Sequence, residues 1–267
     1  MRSQPAGDFN YEAKGAQYST VRRPEPLFAR AIRTALGDVE TVINVGAGAG
    51  SYEPEDLLVT AVEPSATMRA RRSSNLPPAV DAATEDLPFA AGFFDAAMPT
   101  VTIDQWRDLT IGLAELRRVT RGPIVIMTFD PRALQEFWLA LYSPELMQHE
   151  AGRMPNIDRV TDLLGGSSTV TNLAVPQDCV DGFAEAFFGR PEAFLDAEVR
   201  RAQSAWGFLP TEHETAAVNL LQQDLEGGEW DARHGELREL LEYHGSLRLV
   251  VNDPEGFTLT GAHLSAR

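Results

Sequence analysis

Gly46, Gly48 and Gly50 stand at alternate positions in Val45-Gly46-Ala47-Gly48-Ala49-Gly50-Ser51, and Glu63 follows Gly46 by seventeen residues. Glycines spaced this way let a backbone turn sharply and come close to a ligand, because no Cβ intrudes. An acid at the end of the next strand can accept hydrogen bonds from both hydroxyls of a ribose. Loop and acid together describe a nucleoside site at the carboxyl edge of a sheet. The spacing is GxGxG, whereas a dinucleotide loop reads GxGxxG and would put its third glycine where Ser51 stands. Nicotinamide and flavin nucleotides are therefore disfavoured. No GK[ST] follows, so the loop is not a P-loop either.

The elements that must hold these residues alternate between strand and helix. Pro26–Leu36 has helical spacing and ends at Gly37. Thr41–Val45 is a short β-branched run without alternation, as expected of a strand buried on both faces of a parallel sheet. Leu58–Val62 predicts a second strand, Ala66–Arg72 a helix, Asp95–Met98 a strand, Leu109–Val119 an amphipathic helix and Pro123–Phe129 the strongest strand of the chain. This alternation predicts an α/β fold. Beyond Asp130 the sequence predicts helices at Ala133–Tyr142 and Ile157–Leu164 and a strand at Thr169–Val175. A largely helical stretch from Gly182 to Tyr243 follows, then a last strand from Ser246 to Val251.

The segments VINVGAGAGSYE (Val42 to Glu53), VTAVEPSATMR (Val59 to Arg69), ATEDLPFAAGFFDAAM (Ala83 to Met98) and LAELRRVTRGPIVIMTFDP (Leu113 to Pro131) occur in this order. In order and spacing they resemble the class I, Rossmann-like S-adenosylmethionine (SAM)-dependent methyltransferases. The likeness is to the small-molecule branch that includes quinone C-methyltransferases and the biotin-pathway carboxyl methyltransferase. The resemblance covers roughly residues 10 to 131. It implies a doubly wound, mostly parallel seven-stranded sheet with an α-helical insertion, a lid, between the last two strands. Residues 1–176 and 245–267 would then form the SAM-binding core and 177–244 the substrate-binding insertion.

The resemblance also implies roles. Gly46, Ala47, Gly48 and Gly50 would pass beneath the methionine part and ribose of SAM, Glu63 would bind the ribose hydroxyls, and Pro64 to Met68 would flank the adenine. Thr84, Glu85 and Asp86 would lie at the adenine edge, and Thr100, Val101 and Thr102 at the methionine end. Tyr18 and Arg22 resemble a family pattern that closes over SAM, although a surface helix accounts for them equally well. Departures are visible: Asn44 stands where relatives carry an acid, Ala83 where many carry Asp, and Asp104-Gln105 where similar sequences have a His-rich stretch before Trp106. They keep a second reading open, that of a SAM- or S-adenosylhomocysteine (SAH)-binding protein without catalysis.

The sulfonium of SAM is already a reactive methyl donor, so much of the catalytic work would be alignment of donor and acceptor. If the acceptor must lose a proton, Asp104 is the candidate base, with an N-cap or solvated loop acid as its plainer role. Phe183, Phe187, Phe188, Phe194, Trp206 and Phe208 crowd the helical stretch. Their spacing favours core packing, and a lid over an apolar acceptor would look the same, with Trp138 and Tyr142 joining its wall.

A net charge of −16 argues against nucleic acid as a partner. Arg22, Arg23, Arg30 and Arg33, and Arg69, Arg71 and Arg72, form basic clusters that are expected to face solvent on helices. A lone cysteine, Cys179, permits no internal disulfide, and the five histidines lack metal-ligand spacing, so no metal is expected. With neither a signal-peptide core nor a membrane-length run, the chain reads as a cytoplasmic enzyme of EC 2.1.1 type acting on a small molecule. Oligomeric state and the choice among O-, N- and C-methylation have no sequence signal.

Overall fold

A computed structural model of the chain describes residues 22–254; Tyr18 lies outside them. The first described helix, α1 (Pro26–Leu36), starts where Glu25 Oε1 accepts the Leu27 N–H, and it buries Phe28, Ile32 and Leu36 along one stripe. Six strands follow in one sheet: β1 (Thr41–Val45), β2 (Leu58–Val62), β3 (Ala96–Ala97), β4 (Ile124–Phe129), β5 (Ser167–Asn172) and β8 (Leu247–Asp253). Their spatial order is β2-β1-β3-β4-β8-β5, with the first four strands parallel and β8 antiparallel to both its neighbours.

Where a seventh strand would extend the sheet beyond β2, a single parallel pairing joins Val62 to Val80. Pro77 and Pro78 precede that residue. They carry no N–H to donate, which limits a ladder there.

Alternate residues of β4 serve two layers. Val125, Met127 and Phe129 pack into the cluster that holds α1. Ile124 and Ile126 pack against α3 (Leu109–Val119) and α6 (Ile157–Leu164). Helices on both faces of a mostly parallel sheet make the doubly wound arrangement, in which the carboxyl ends of the parallel strands form the ligand edge.

After β4 the chain departs from the sequence expectation. The helix foreseen at 133–142 is broken: α4 (Pro131–Leu134) stops, Phe137 is extended, and a 3₁₀ turn spans Trp138–Leu141. The break lets the Trp138 indole donate to the Phe188 carbonyl at 2.9 Å and stand edge-on to Tyr142, Phe194 and Trp230. Tertiary packing of one large aromatic has overridden helical spacing. The sequence predicts no helix at Pro144–Arg153, where α5 lies.

Between β5 and β8 the chain leaves and returns through a two-residue antiparallel pair, β6 (Val175–Pro176) with β7 (Glu242–Tyr243). The segment so enclosed holds α7 (Ala197–Arg201), α8 (Thr211–Gly227), α9 (Glu229–His234) and several 3₁₀ turns. Its aromatic residues join the α1 side of the sheet core in one continuous hydrophobic cluster. No helix among the described residues is long and apolar enough to cross a membrane.

Candidate functional site

The glycine loop leaves β1 with positive φ at Gly46, Gly48 and Gly50. The Ala47 N–H donates to the Val62 carbonyl at 3.0 Å, tying the loop to the end of β2. Glu63, 7% exposed, sits immediately beyond that strand. Its Oε2 accepts the Gly48 N–H and its Oε1 the Ser65 N–H, both at 2.8 Å. Two backbone donors thus aim one buried carboxylate at the loop. Pro64 is half-buried beside it, and Ser65 caps α2 (Ala66–Arg69), whose Met68 side chain reaches toward Gly48.

Beneath the loop runs a polar network absent from the sequence reading. Arg72 donates to both oxygens of Glu53 at 2.9 and 2.8 Å, and both side chains are 3% exposed. The Asn44 Nδ2 donates to Glu53 Oε1 at 3.0 Å. Asn44 Oδ1 is fully buried and accepts no hydrogen bond among the described residues. Arg72, expected to face solvent, is therefore an internal strut, because the adjacent carboxylate repays its desolvation. Arg22 corrects the same expectation. It pairs with Asp181, itself 3% exposed, and Asp181 also accepts the Tyr52 hydroxyl at 2.7 Å. Burial, reinforced by the Asp181 charge, raises the Tyr52 pKa and keeps its proton in place.

The residues expected at the adenine edge divide. Thr84 is buried against Gly112, where a Cβ would meet its Cγ2 at 3.3 Å. Glu85 Oε1 accepts the backbone N–H groups of Arg107 and Asp108, at 2.7 and 3.1 Å, and so holds the turn that enters α3. Asp86 is exposed.

Beyond β3, Thr100 pairs with Met127 and Val101 adopts φ +49. A β-branched residue in the left-handed region is strained, on the order of 1–3 kcal/mol, and persists only where its surroundings over-determine it. Here the Val101 N–H is held by the Met127 carbonyl at 2.8 Å. Thr102 packs directly on Gly46.

Val101 and Asp104 open into a cavity with about 660 Å³ of empty space, part of it open to solvent. Phe129, Leu134, Leu146, Met147, Met154 and Phe183 give it apolar walls; Arg22, Glu150, Glu185, Gln203 and Ser204 give it polar points. Asp104 Oδ2 accepts from Arg153 at 3.1 Å and from the Gln105 amide at 2.5 Å. Arg153 also donates to Glu150 at 2.9 Å. Burial drives the Glu150 pKa upward, opposed by Arg153 and reinforced by Asp104. Glu185, also in the lining, is fully buried; both its oxygens accept from Ser246, and burial pushes it up to about 7.

Of the aromatics foreseen as a wall, Phe183 lines this cavity. Phe187, Phe188, Phe194, Trp206, Trp138 and Tyr142 are core, and Tyr142 directs its hydroxyl to Asp224. Cys179 is buried, with its thiol pushed up to about 12 by desolvation, an unreactive packing residue. Glu150, Arg153, Glu185 and Gln203 had no motif to reveal them. The one available signal was the pairing of Glu150 with Arg153 three residues on, in a segment whose helical register the sequence reading missed.

Comparison with known proteins identifies the fold. A family model described as a methyltransferase domain matches residues 43–123. A structure of a candidate methyltransferase from an antibiotic biosynthesis pathway in Anabaena variabilis ATCC 29413 is 30% identical, with a TM-score of 0.81. The match covers 88% of this chain and 99% of that one. A SAM-dependent methyltransferase from Thermotoga maritima is 15% identical, with a TM-score of 0.56 over 92% of this chain and 98% of its own. No curated protein sequence matches the chain.

Proposed function

The chain belongs to the class I methyltransferases, and from that premise we propose that it transfers a methyl group from SAM to a small-molecule metabolite held in the cavity beside Val101. The observation that carries this reading is the continuity of two sites. The glycine loop rests on Thr102, and Val101 and Asp104, on either side of Thr102, line the cavity. A nucleoside end and an acceptor end thus share one short segment after β3.

The residues present fit SAM. Glu63 would take the ribose hydroxyls, Met68 would pack on the adenine, and Gly46 to Gly50 would run beneath ribose and methionine. The orphaned, buried Asn44 Oδ1 would provide a neutral acceptor where relatives place an acid, so Asn44 does not empty the site of function. When bound, SAM supplies an electrophilic methyl on sulfur. This chain's residues then orient the acceptor, exclude water through the apolar cavity walls, and receive a proton where the acceptor must lose one. Asp104 and Glu150, joined through Arg153, are the groups placed to receive it. A small acceptor is also favoured by the partly enclosed cavity and by the Anabaena relative's assignment to antibiotic biosynthesis.

Calorimetric titration with SAM and with SAH tests the reading, alongside a Glu63→Gln variant whose melting temperature monitors folding. Micromolar binding of both, weakened about tenfold or more in the variant, supports it. Tight binding of SAH with no methyl transfer to any metabolite in a broad screen would favour the non-catalytic alternative. Failure of the wild-type protein to bind either ligand would end both.

A further inference from the structure

The polar points of the acceptor cavity differ in whether the protein satisfies them. Glu185 is satisfied by Ser246, and Arg22 pairs with Asp181. The Gln203 carboxamide is 7% exposed and lines the cavity, yet its Nε2 is fully buried and reaches no acceptor among the described residues. Leaving such a group unpaired is costly, so a bound molecule that supplies the missing partner recovers that loss. Glu150 is likewise half-used. Its Oε2 accepts from Arg153 at 2.9 Å, while no hydrogen bond reaches Oε1 among the described residues.

Among the described residues, Asp104 and Glu150 line the cavity and share the guanidinium of Arg153, while the charge of Arg22 is matched by Asp181 outside the lining. Glu185, pushed up by burial, adds little negative charge. An anionic acceptor would enter an acidic, weakly screened pocket and meet repulsion. A cationic one would relieve it. Apolar walls from Leu134, Leu146, Met147 and Phe183 leave room for a hydrocarbon body behind the charged head.

Resting on the methyl-transfer reading above, we infer that the acceptor is a small amine with an apolar body. Its ammonium pairs with Glu150 Oε1, and a polar atom on its skeleton accepts from the Gln203 carboxamide. The ammonium passes one proton to the Glu150 carboxylate and so regains its lone pair. The amine nitrogen then forms the new N–C bond as the S–C bond of SAM breaks, with that bond's electron pair remaining on sulfur. The products are the N-methylated ammonium and SAH, with the proton held on Glu150 until solvent removes it. Burial pushes the Glu150 pKa upward, the direction that suits a group receiving a proton.

The test is binding of a size-graded set of primary amines, from butylamine to tryptamine, to SAH-loaded protein by calorimetry. Each amine is paired with the alcohol and the carboxylate of the same skeleton. At least one amine is expected to bind about tenfold tighter than its alcohol and carboxylate partners, and Glu150→Gln should erase that preference while SAH affinity stays unchanged. Gln203→Leu should weaken amines that carry a second polar atom and leave simple alkylamines unaffected. The inference is overturned if alcohols or carboxylates bind as well as the amines, if no amine binds although SAH does, or if Glu150→Gln leaves the preference intact. Failure of SAH itself to bind would instead remove the methyltransferase reading beneath it.

Discussion

Gly46 and Thr102 meet so closely that a Cβ built on Gly46 would lie 1.9 Å from Thr102 Oγ1 and 2.8 Å from its Cβ. The glycine is therefore set by protein packing as well as by its φ of +68. Gly48 differs: a Cβ there meets nothing nearer than Met68 Cε at 3.4 Å, although its φ of +52 still disfavours a side chain.

Gly46→Ala is therefore expected to be the more damaging of the two. Overpacking costs about 1–3 kcal/mol, and the left-handed conformation adds roughly 1 kcal/mol more. Gly48→Ala should show mainly the second cost. Urea denaturation of both variants checks this ordering; equal losses would mean the Thr102 contact relaxes freely.

Arg72 and Glu53 make a second test beneath the same loop. Because both are 3% exposed, Arg72→Ala leaves Glu53 buried without a counter-charge, held only by the Asn44 amide, at a cost of about 3–5 kcal/mol. Replacing both by apolar residues, Arg72→Met with Glu53→Leu, should lose distinctly less than the single change, despite stranding the Asn44 amide. A double-mutant cycle by chemical denaturation measures the coupling. Additive losses would show that the pair contributes nothing specific.

Glu185 gives the chain a pH signature. Its carboxyl is raised by burial from 4.5 to about 7, so in this window the folded chain holds a proton that the unfolded chain releases. The associated stability is present below about pH 4.5 and is lost as pH rises through about 7. The loss is on the order of 3 kcal/mol for the full shift. Glu185→Gln, which mimics the protonated acid against Ser246, should flatten this part of the stability–pH curve. Thermal melts from pH 5 to pH 8 on both proteins read it directly. Parallel curves would assign the slope to another group, with Glu150, shifted in the same direction, next in line.

The glycine loop and the acid after β2 were legible because their information is local. A turn that must take positive φ after a buried strand requires glycine, and an acid at the next strand end lies a fixed distance along the chain. Strand runs such as Ile124–Phe129 and the capped helix Leu109–Val119 declare themselves in the same way. What stayed hidden depends on meetings across long stretches of chain. Asp104 faces Arg153, Arg22 faces Asp181, and Glu185 meets Ser246, across separations of 49, 159 and 61 residues.

The sequence by itself thus determined the α/β alternation, the glycine loop and the family. Only the tertiary structure decided which charges are buried, which aromatics form walls and which form core, and where the cavity beside Val101 lies. Solvent exposure and electrostatic partnership are properties of packed surfaces, and no spacing within a single segment encodes them.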